Sequence, residues 1–275
     1  MDSCNLMNAK AKLVFLVWKA RRARLDPVEF AEFAFSDETG QPMRLAAVHR
    51  ELQAFLGIAP RALVELPRDH GKTVQVMIRL IWELGREPNL RVLVACGSGG
   101  LAVQRGRFLR EAVSDNGRVR FIFPHLQPDR PWRVNTFRVK RSGSAVSPTV
   151  AVLGVGATAT GARADLLVCD DMVDVKALRS EVIREKVKQV FRENLINLLE
   201  PGGRAWLLFT PWHVGDLNAE LKKSPAYQHF RRAVGDDLAP VWPEKWPRER
   251  LAARRAEIGE SSFARAFRLQ TLARG

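Results

Sequence analysis

The chemistry in this chain starts at Pro67-Arg68-Asp69-His70-Gly71-Lys72-Thr73. Gly-Lys-Thr is the invariant half of a phosphate-loop pattern. The glycine admits backbone N–H groups to phosphate oxygens, the lysine reaches the β and γ phosphates, and the hydroxyl holds Mg²⁺. The first glycine of that pattern would fall at Leu66, where the chain departs from it. Arg68 places a second cation inside the loop; its bland reading is a solvated loop arginine. Further on, Asp165-Leu166-Leu167-Val168-Cys169-Asp170-Asp171 is an apolar run closing on two carboxylates. In the Walker B layout the first carboxylate serves the metal and the second polarises the attacking water. Neighbours at a strand end need not share a face, so Asp170 can turn to Mg²⁺ and Asp171 to the γ-phosphate. Asp171 is shorter than the glutamate common in this role, and Asp174 is a second candidate. Taken alone, the pair also reads as the N-cap of a following helix. Thr210, in Thr210-Pro211-Trp212-His213, ends a third apolar run, where a polar residue can touch the γ-phosphate region and report hydrolysis.

These residues need elements to position them. From residue 62 onward short apolar runs alternate with longer amphipathic ones: 62–66 then 74–84, 91–96 then 101–113. That rhythm predicts a mainly parallel sheet with helical crossovers. Strands are also expected at 149–155, 165–169 and 205–209, with one long helix over 176–199. Residues 1–60 read as a helical N-terminal segment, 61–235 as one α/β domain, and 236–275 as a helical tail. There, Pro240, Pro243 and Pro247 bracket Trp242 and Trp246 before a charged helix at 248–258.

Composition narrows the function classes. The formal net charge is +14 and 33 of the 44 basic residues are arginine, which points to a polyanionic partner or an acidic surface, because guanidinium groups bind phosphate bidentately. Nine arginines (105, 107, 110, 118, 120, 130, 133, 138 and 141) stand against three acids between residues 105 and 141. They read either as a solvated face or as sequence-indifferent contacts to a nucleic-acid backbone. Cys4, Cys96 and Cys169 have no CxxC spacing and read as reduced thiols of an intracellular protein without a zinc site. The apolar run 13–18 is too short for a membrane span and lacks a signal-peptide cleavage pattern. It predicts one face of a basic N-terminal helix.

The phosphate loop, the Leu-Leu-Val-Cys-Asp-Asp strand, the Gly161-Ala162-Arg163 approach to it, Thr210 to His213, and Leu238-Ala239-Pro240-Val241-Trp242-Pro243-Glu244 together resemble the large terminase subunit of tailed bacteriophages. The resemblance runs over roughly residues 25–270, and a phosphate loop without its first glycine is typical of that family. It implies a P-loop NTPase of the additional-strand type, with a mainly parallel central sheet flanked by helices and a small helical C-terminal lid. It also implies ATP and Mg²⁺ as cofactors. Its partners would be double-stranded DNA, the portal protein and the small terminase subunit, in a homo-oligomeric ring that forms on the portal in the host cytoplasm, away from any membrane. Carried over, Pro67 to Thr73 bind the phosphates, Thr73 and Asp170 serve the metal, Asp171 activates water, and Thr210 couples. His49 stands where relatives carry an adenine-contacting motif; a core histidine is the other reading. Arg163 would be an arginine finger reaching a neighbouring subunit, or would pair with Asp165 or Asp174 and order its loop. The family adds a C-terminal nuclease that would begin about where this chain stops, so no DNA cleavage is expected from these residues. The rival readings are a helicase-like ATPase, which would call for a second RecA-like domain, and a non-catalytic docking module for portal or DNA.

Overall fold

The computed structural model describes residues 3–157 and 163–271. Eight strands form one sheet: Arg61–Glu65 (β1), Val92–Cys96 (β2), Pro128–Trp132 (β3), Thr136–Val139 (β4), Val150–Gly154 (β5), Ala164–Asp170 (β6), Leu199–Phe209 (β7) and Gln228–Arg231 (β8). Their order is β3-β4-β5-β2-β6-β7-β1-β8. Only β3–β4 and β4–β5 pair antiparallel; the rest of the sheet is parallel. β7 lies between β1 and β6, so the strand that opens the phosphate loop and the strand that ends in carboxylates flank a third. This is the additional-strand P-loop NTPase fold.

Side-chain alternation along each strand divides the core between the two faces of the sheet. Val64, Val94, Val152, Val168 and Trp206 point to one face, covered by α1 (Ser3–Leu25), α2 (Pro27–Ala34), α3 (Ala47–Ile58), α4 (Lys72–Arg86), α5 (Gly99–Ser114) and α6 (Gly117–Ile122). Leu63, Ala95, Leu167, Ala205 and Leu207 point to the other. Its cover is α8 (Glu181–Gln189), a π turn over Val190–Leu195 and α9 (Leu217–Leu221), with the short α7 (Val175–Arg179) packed beside α8. A smaller cluster of Val234, Leu238, Trp246, Leu251, Phe263 and Phe267 gathers at α10 (Arg248–Ile258) and α11 (Glu260–Ala266).

The fold corrects two expectations. The helix predicted over 176–199 is broken at Ser180, whose hydroxyl accepts from Ile183 N–H and starts α8 afresh, so α7 and α8 are separate. The β3–β4 hairpin and β8 were not expected. β3 is exposed along most of its length, which removes the alternating signal that sequence patterning depends on. The run 13–18 lies in the N-terminal helix expected for it, with all six side chains exposed, and α1 is held to the body through buried Ala20 and Ala23 further along. No helix among the described residues is long and apolar enough to cross a membrane.

One glycine contact ties the sheet to the site. A Cβ on Gly154 would sit 2.6 Å from the Gly99 nitrogen and 2.7 Å from the Ser98 carbonyl carbon. These are backbone atoms at the start of α5 that cannot yield cheaply. Gly154→Ala is therefore expected to lower stability by about 2 kcal/mol, read as a lower midpoint in urea unfolding. Gly117→Ala, where a Cβ would meet nothing within 4 Å, should leave the midpoint unchanged or raise it.

Candidate functional site

The carboxyl ends of β1, β6 and β7 are brought level by their register: Glu65 stands beside Phe209, and Asp170 beside Leu208. The residues that follow, Leu66, Asp171 and Thr210, therefore meet at one edge of the sheet. After β1 the chain turns through two left-handed residues, Asp69 (φ 59°) and Gly71 (φ 73°), and Gly71 is the N-cap of α4. The first N–H groups of α4 are thus free for an anion, with the positive end of the helix dipole behind them.

Two side-chain contacts close this edge. Lys72 Nζ donates to Thr210 Oγ1 at 3.2 Å, and Thr73 Oγ1 donates to Asp170 Oδ1 at 2.9 Å. Asp170 is fully buried. Its second oxygen accepts from Arg105 Nε at 2.7 Å. Asp171 is partly buried and takes a left-handed backbone (φ 47°), its own N–H donating to Leu208 O. Burial pushes its carboxyl above the usual carboxylate range, against the pull of nearby Lys72. Arg68, Lys72, Thr73, Asp171, Asp174 and Thr210 all line a cavity of about 540 Å³.

Arg105 is the residue that sequence reading misplaced. Counted with the arginine run, it is instead the counter-ion of Asp170, reaching in from α5. Spacing gave no sign of it, because the partner lies 65 residues away. The rest of the run also divides. Arg118, Arg138 and Arg141 bond to backbone carbonyls of Phe33, Val146 and Ser147. Arg107, Arg120, Arg130 and Arg133 are exposed. The β3–β4 turn lies against α5, since a Cβ on Gly106 would come 2.1 Å from Val134 O.

The loop histidine lines the cavity, but its ring is turned toward the C-terminal helices. His70 Nδ1–H donates to Arg68 O at 2.8 Å, and its ring stacks on Trp246 with 5.9 Å between centroids. Burial pulls its pKa down to about 4, so the ring is neutral. His70 therefore contributes backbone to the loop while its ring anchors the C-terminal helices. Lys245 Nζ bonds Asp69 Oδ1 at 2.9 Å, and Arg68 N–H donates to Ala266 O at 3.0 Å, which adds to this clamp. His49 Nε2–H donates to His70 O at 3.0 Å, and its ring meets Trp242 edge-on. It also lines a neighbouring 590 Å³ cavity with Met43, Val74, Gln75 and Trp242, so it is a buried loop support with an edge on a cavity.

Arg163 is not brought into the site. It precedes β6, a strand length of roughly 20 Å from Asp170, and its guanidinium donates to Asn197 O. It pairs with neither carboxylate considered for it: Asp165 is held by Arg91, and Asp174 caps α7. Thr160, Gly161 and Ala162 lie outside the described residues.

The donor set suits a hard divalent cation. The Thr73 hydroxyl and Asp170 carboxylate are oxygen ligands set side by side, and Mg²⁺ is usually held by one or two such groups plus phosphate oxygens and waters. Removing Arg105 would strand a buried carboxylate, so Arg105→Met should cost about 3 kcal/mol or more. Arg105→Met combined with Asp170→Asn should cost less than the two separate losses added together. Urea unfolding of the four proteins in this cycle measures the coupling.

No protein-family model matches the chain. It is 27% identical to the large terminase subunit of Enterobacteria phage T3 over 207 residues, which is 72% of this chain and 30% of that protein. Its fold superposes on the bacteriophage HK97 large terminase with a TM-score of 0.59 at 16% identity, covering 90% of this chain and 55% of the other. The Thermus phage P74-26 large terminase ATPase domain matches with a TM-score of 0.51 at 19% identity, covering 83% and 94%. The chain thus spans under a third of the T3 protein and about half of the HK97 one, but nearly all of an isolated ATPase domain. In sequence and in fold it is similar to the ATPase half of phage large terminase subunits.

Proposed function

We propose that this chain hydrolyses ATP and uses the cycle to drive double-stranded viral DNA into a prohead, as the ATPase part of a terminase motor. The observation that carries the reading is the convergence of Lys72, Thr73, Asp171 and Thr210 from three strand ends on one cavity, with buried Asp170 accepting a hydrogen bond from Thr73. The loop N–H groups and Lys72 would bind the phosphates of ATP, with His49 and Trp242 beside the base. Thr73 and Asp170 would hold Mg²⁺, which screens phosphate charge when bound. Asp171 orients and deprotonates the attacking water, and Thr210, already bonded to Lys72, senses the γ-phosphate position. Arg68 adds charge from within the loop. Arg163, exposed and far from its own cavity, would reach a nucleotide only in the pocket of a ring neighbour, after leaving its bond to Asn197 O. The exposed arginines of α5, α6 and the β3–β4 hairpin would meet the DNA backbone. Portal protein and small terminase subunit would be the protein partners in the host cytoplasm. In this reading 1–60 and 61–235 form the motor body, and 236–275 acts as a lid clamped on the loop.

Lys72→Ala should abolish ATP turnover with the fold kept, since the ammonium hydrogen-bonds Thr210 at the cavity rather than packing into the apolar core. Turnover near the wild-type rate would remove the phosphate-loop assignment. Asp171→Asn should slow hydrolysis by about a thousandfold or more yet leave nucleotide binding intact. Its folded-state carboxyl is raised, so its stabilising contribution is present at low pH and lost as pH rises through that value. At neutral pH the ionised form is a cost, and the Asn variant should melt no lower than wild type. Thermal melts and single-turnover assays test both halves.

If the exposed arginines contact several DNA phosphates, DNA-stimulated turnover should fall steeply between about 50 and 200 mM salt. Basal turnover should change little over that range. A flat response of the stimulated rate would assign those arginines to a protein partner.

A further inference from the structure

A second cavity of about 470 Å³ adjoins the phosphate-loop cavity and shares Arg68, Asp69, Thr210 and Trp212 with it. Its far wall comes from α10 and α11, with Arg254 and Arg265. Arg68 and Arg265 both lie over the Trp212 ring, 4.7 and 5.8 Å from its centroid. Among the described residues neither guanidinium has a carboxylate partner, and Arg265 Nε is fully buried with no hydrogen-bond acceptor. Asp69 bonds Lys245 and Glu257 bonds Arg254, while Asp171 in the phosphate-loop cavity feels the Arg68 charge without an ion pair to it. A buried donor without an acceptor is costly, and two like charges beside one ring repel. A small oxyanion between them relieves both.

We propose that this cavity is a binding site for inorganic phosphate, held between Arg68 and Arg265. The proposal rests on the ATPase reading above, in which ATP and water give ADP and phosphate. Thr210 and Arg68 line both cavities, so the product can pass from the nucleotide to the second site with the Arg68 guanidinium common to both. Guanidinium forks match its oxygens, and Trp212 fixes their planes. Arg265 sits on α11, which the Arg68 N–H to Ala266 O bond pins to the loop. An occupied phosphate site therefore bridges the loop and the C-terminal helices.

Calorimetric titration of inorganic phosphate into the full chain saturated with Mg·ADP tests this. Wild type should bind phosphate, Arg265→Met should bind it about tenfold more weakly or worse, and Arg265→Lys should fall between. ADP affinity should stay within about twofold in both variants, because the nucleotide cavity does not include Arg265. Arg265→Gln replaces the Met variant if that protein does not fold. No phosphate binding by wild type, or equal binding by wild type and the Met variant, overturns the proposal. So does displacement of phosphate by a short DNA duplex, which would give the two arginines to the DNA backbone. ATP turnover measured on the same preparations separates the two readings. Turnover without Arg265-dependent phosphate binding sinks the phosphate site alone. Arg265-dependent binding without turnover keeps the anion site and sinks the ATPase reading.

Discussion

Asp170 carries a carboxylate with no access to water, and the arrangement around it answers the cost of putting it there. Burying an unpaired carboxylate is prohibitive, while a buried pair with its lone pairs satisfied is tolerable. Thr73 takes one oxygen and Arg105 the other. Those two partners come from α4 and α5, so the helices after β1 and β2 must both start within reach of the end of β6. The backbone shows how tight that requirement is. A Cβ on Gly97 would come 2.3 Å from Asp171 O, and one on Gly154 would strike the start of α5. The glycines sit where the strand ends crowd together around the acid.

The same constraint separates the two acids chemically. Asp170 is locked by neighbours and can only accept, which suits a metal-side ligand. Asp171 has turned into a left-handed backbone, lines the cavity and is raised by burial. A carboxyl raised toward neutrality is a better proton acceptor than an ordinary one. The division of labour proposed for the two acids follows from the end of one strand, where adjacent side chains meet different surroundings.

How much of this was legible depends on the sequence distance over which each interaction acts. The positions of Gly71 to Thr73, of Asp170 and Asp171, and of Thr210 at neighbouring strand ends could be read because each is local: a short apolar run followed within a few residues by polar ones. The strands flanking them were legible for the same reason, being buried on both faces and so continuously apolar. Arg105 was not, since nothing near it in sequence distinguishes it from Arg107. Only the phase of α5 turns one inward and leaves the other in solvent. His70 shows a division that position alone could not give: it belongs to the loop lining the cavity while its ring packs on Trp246. The β3–β4 hairpin was invisible because its first strand is exposed and rests on neighbours for its shape.

The clamp between loop and C-terminal helices gives the site a mechanical character that its chemistry alone would not require. Lys245 and Trp246 hold Asp69, Ala266 holds the Arg68 backbone, and the His70 ring is stacked among aromatic residues of the small cluster. These contacts are made by Arg68, Asp69 and His70, the loop residues just before Gly71, and none of them is made to the sheet. A change in loop geometry on gaining or losing an anion is thereby passed to α10 and α11 before it reaches the rigid parallel core. On the other side, Arg105 links Asp170 to α5 and the exposed arginines beside the hairpin. The cavity therefore sits between two levers, one on the phosphate loop and one on the acidic strand, and an anion that bridges loop and strand is positioned to move them together.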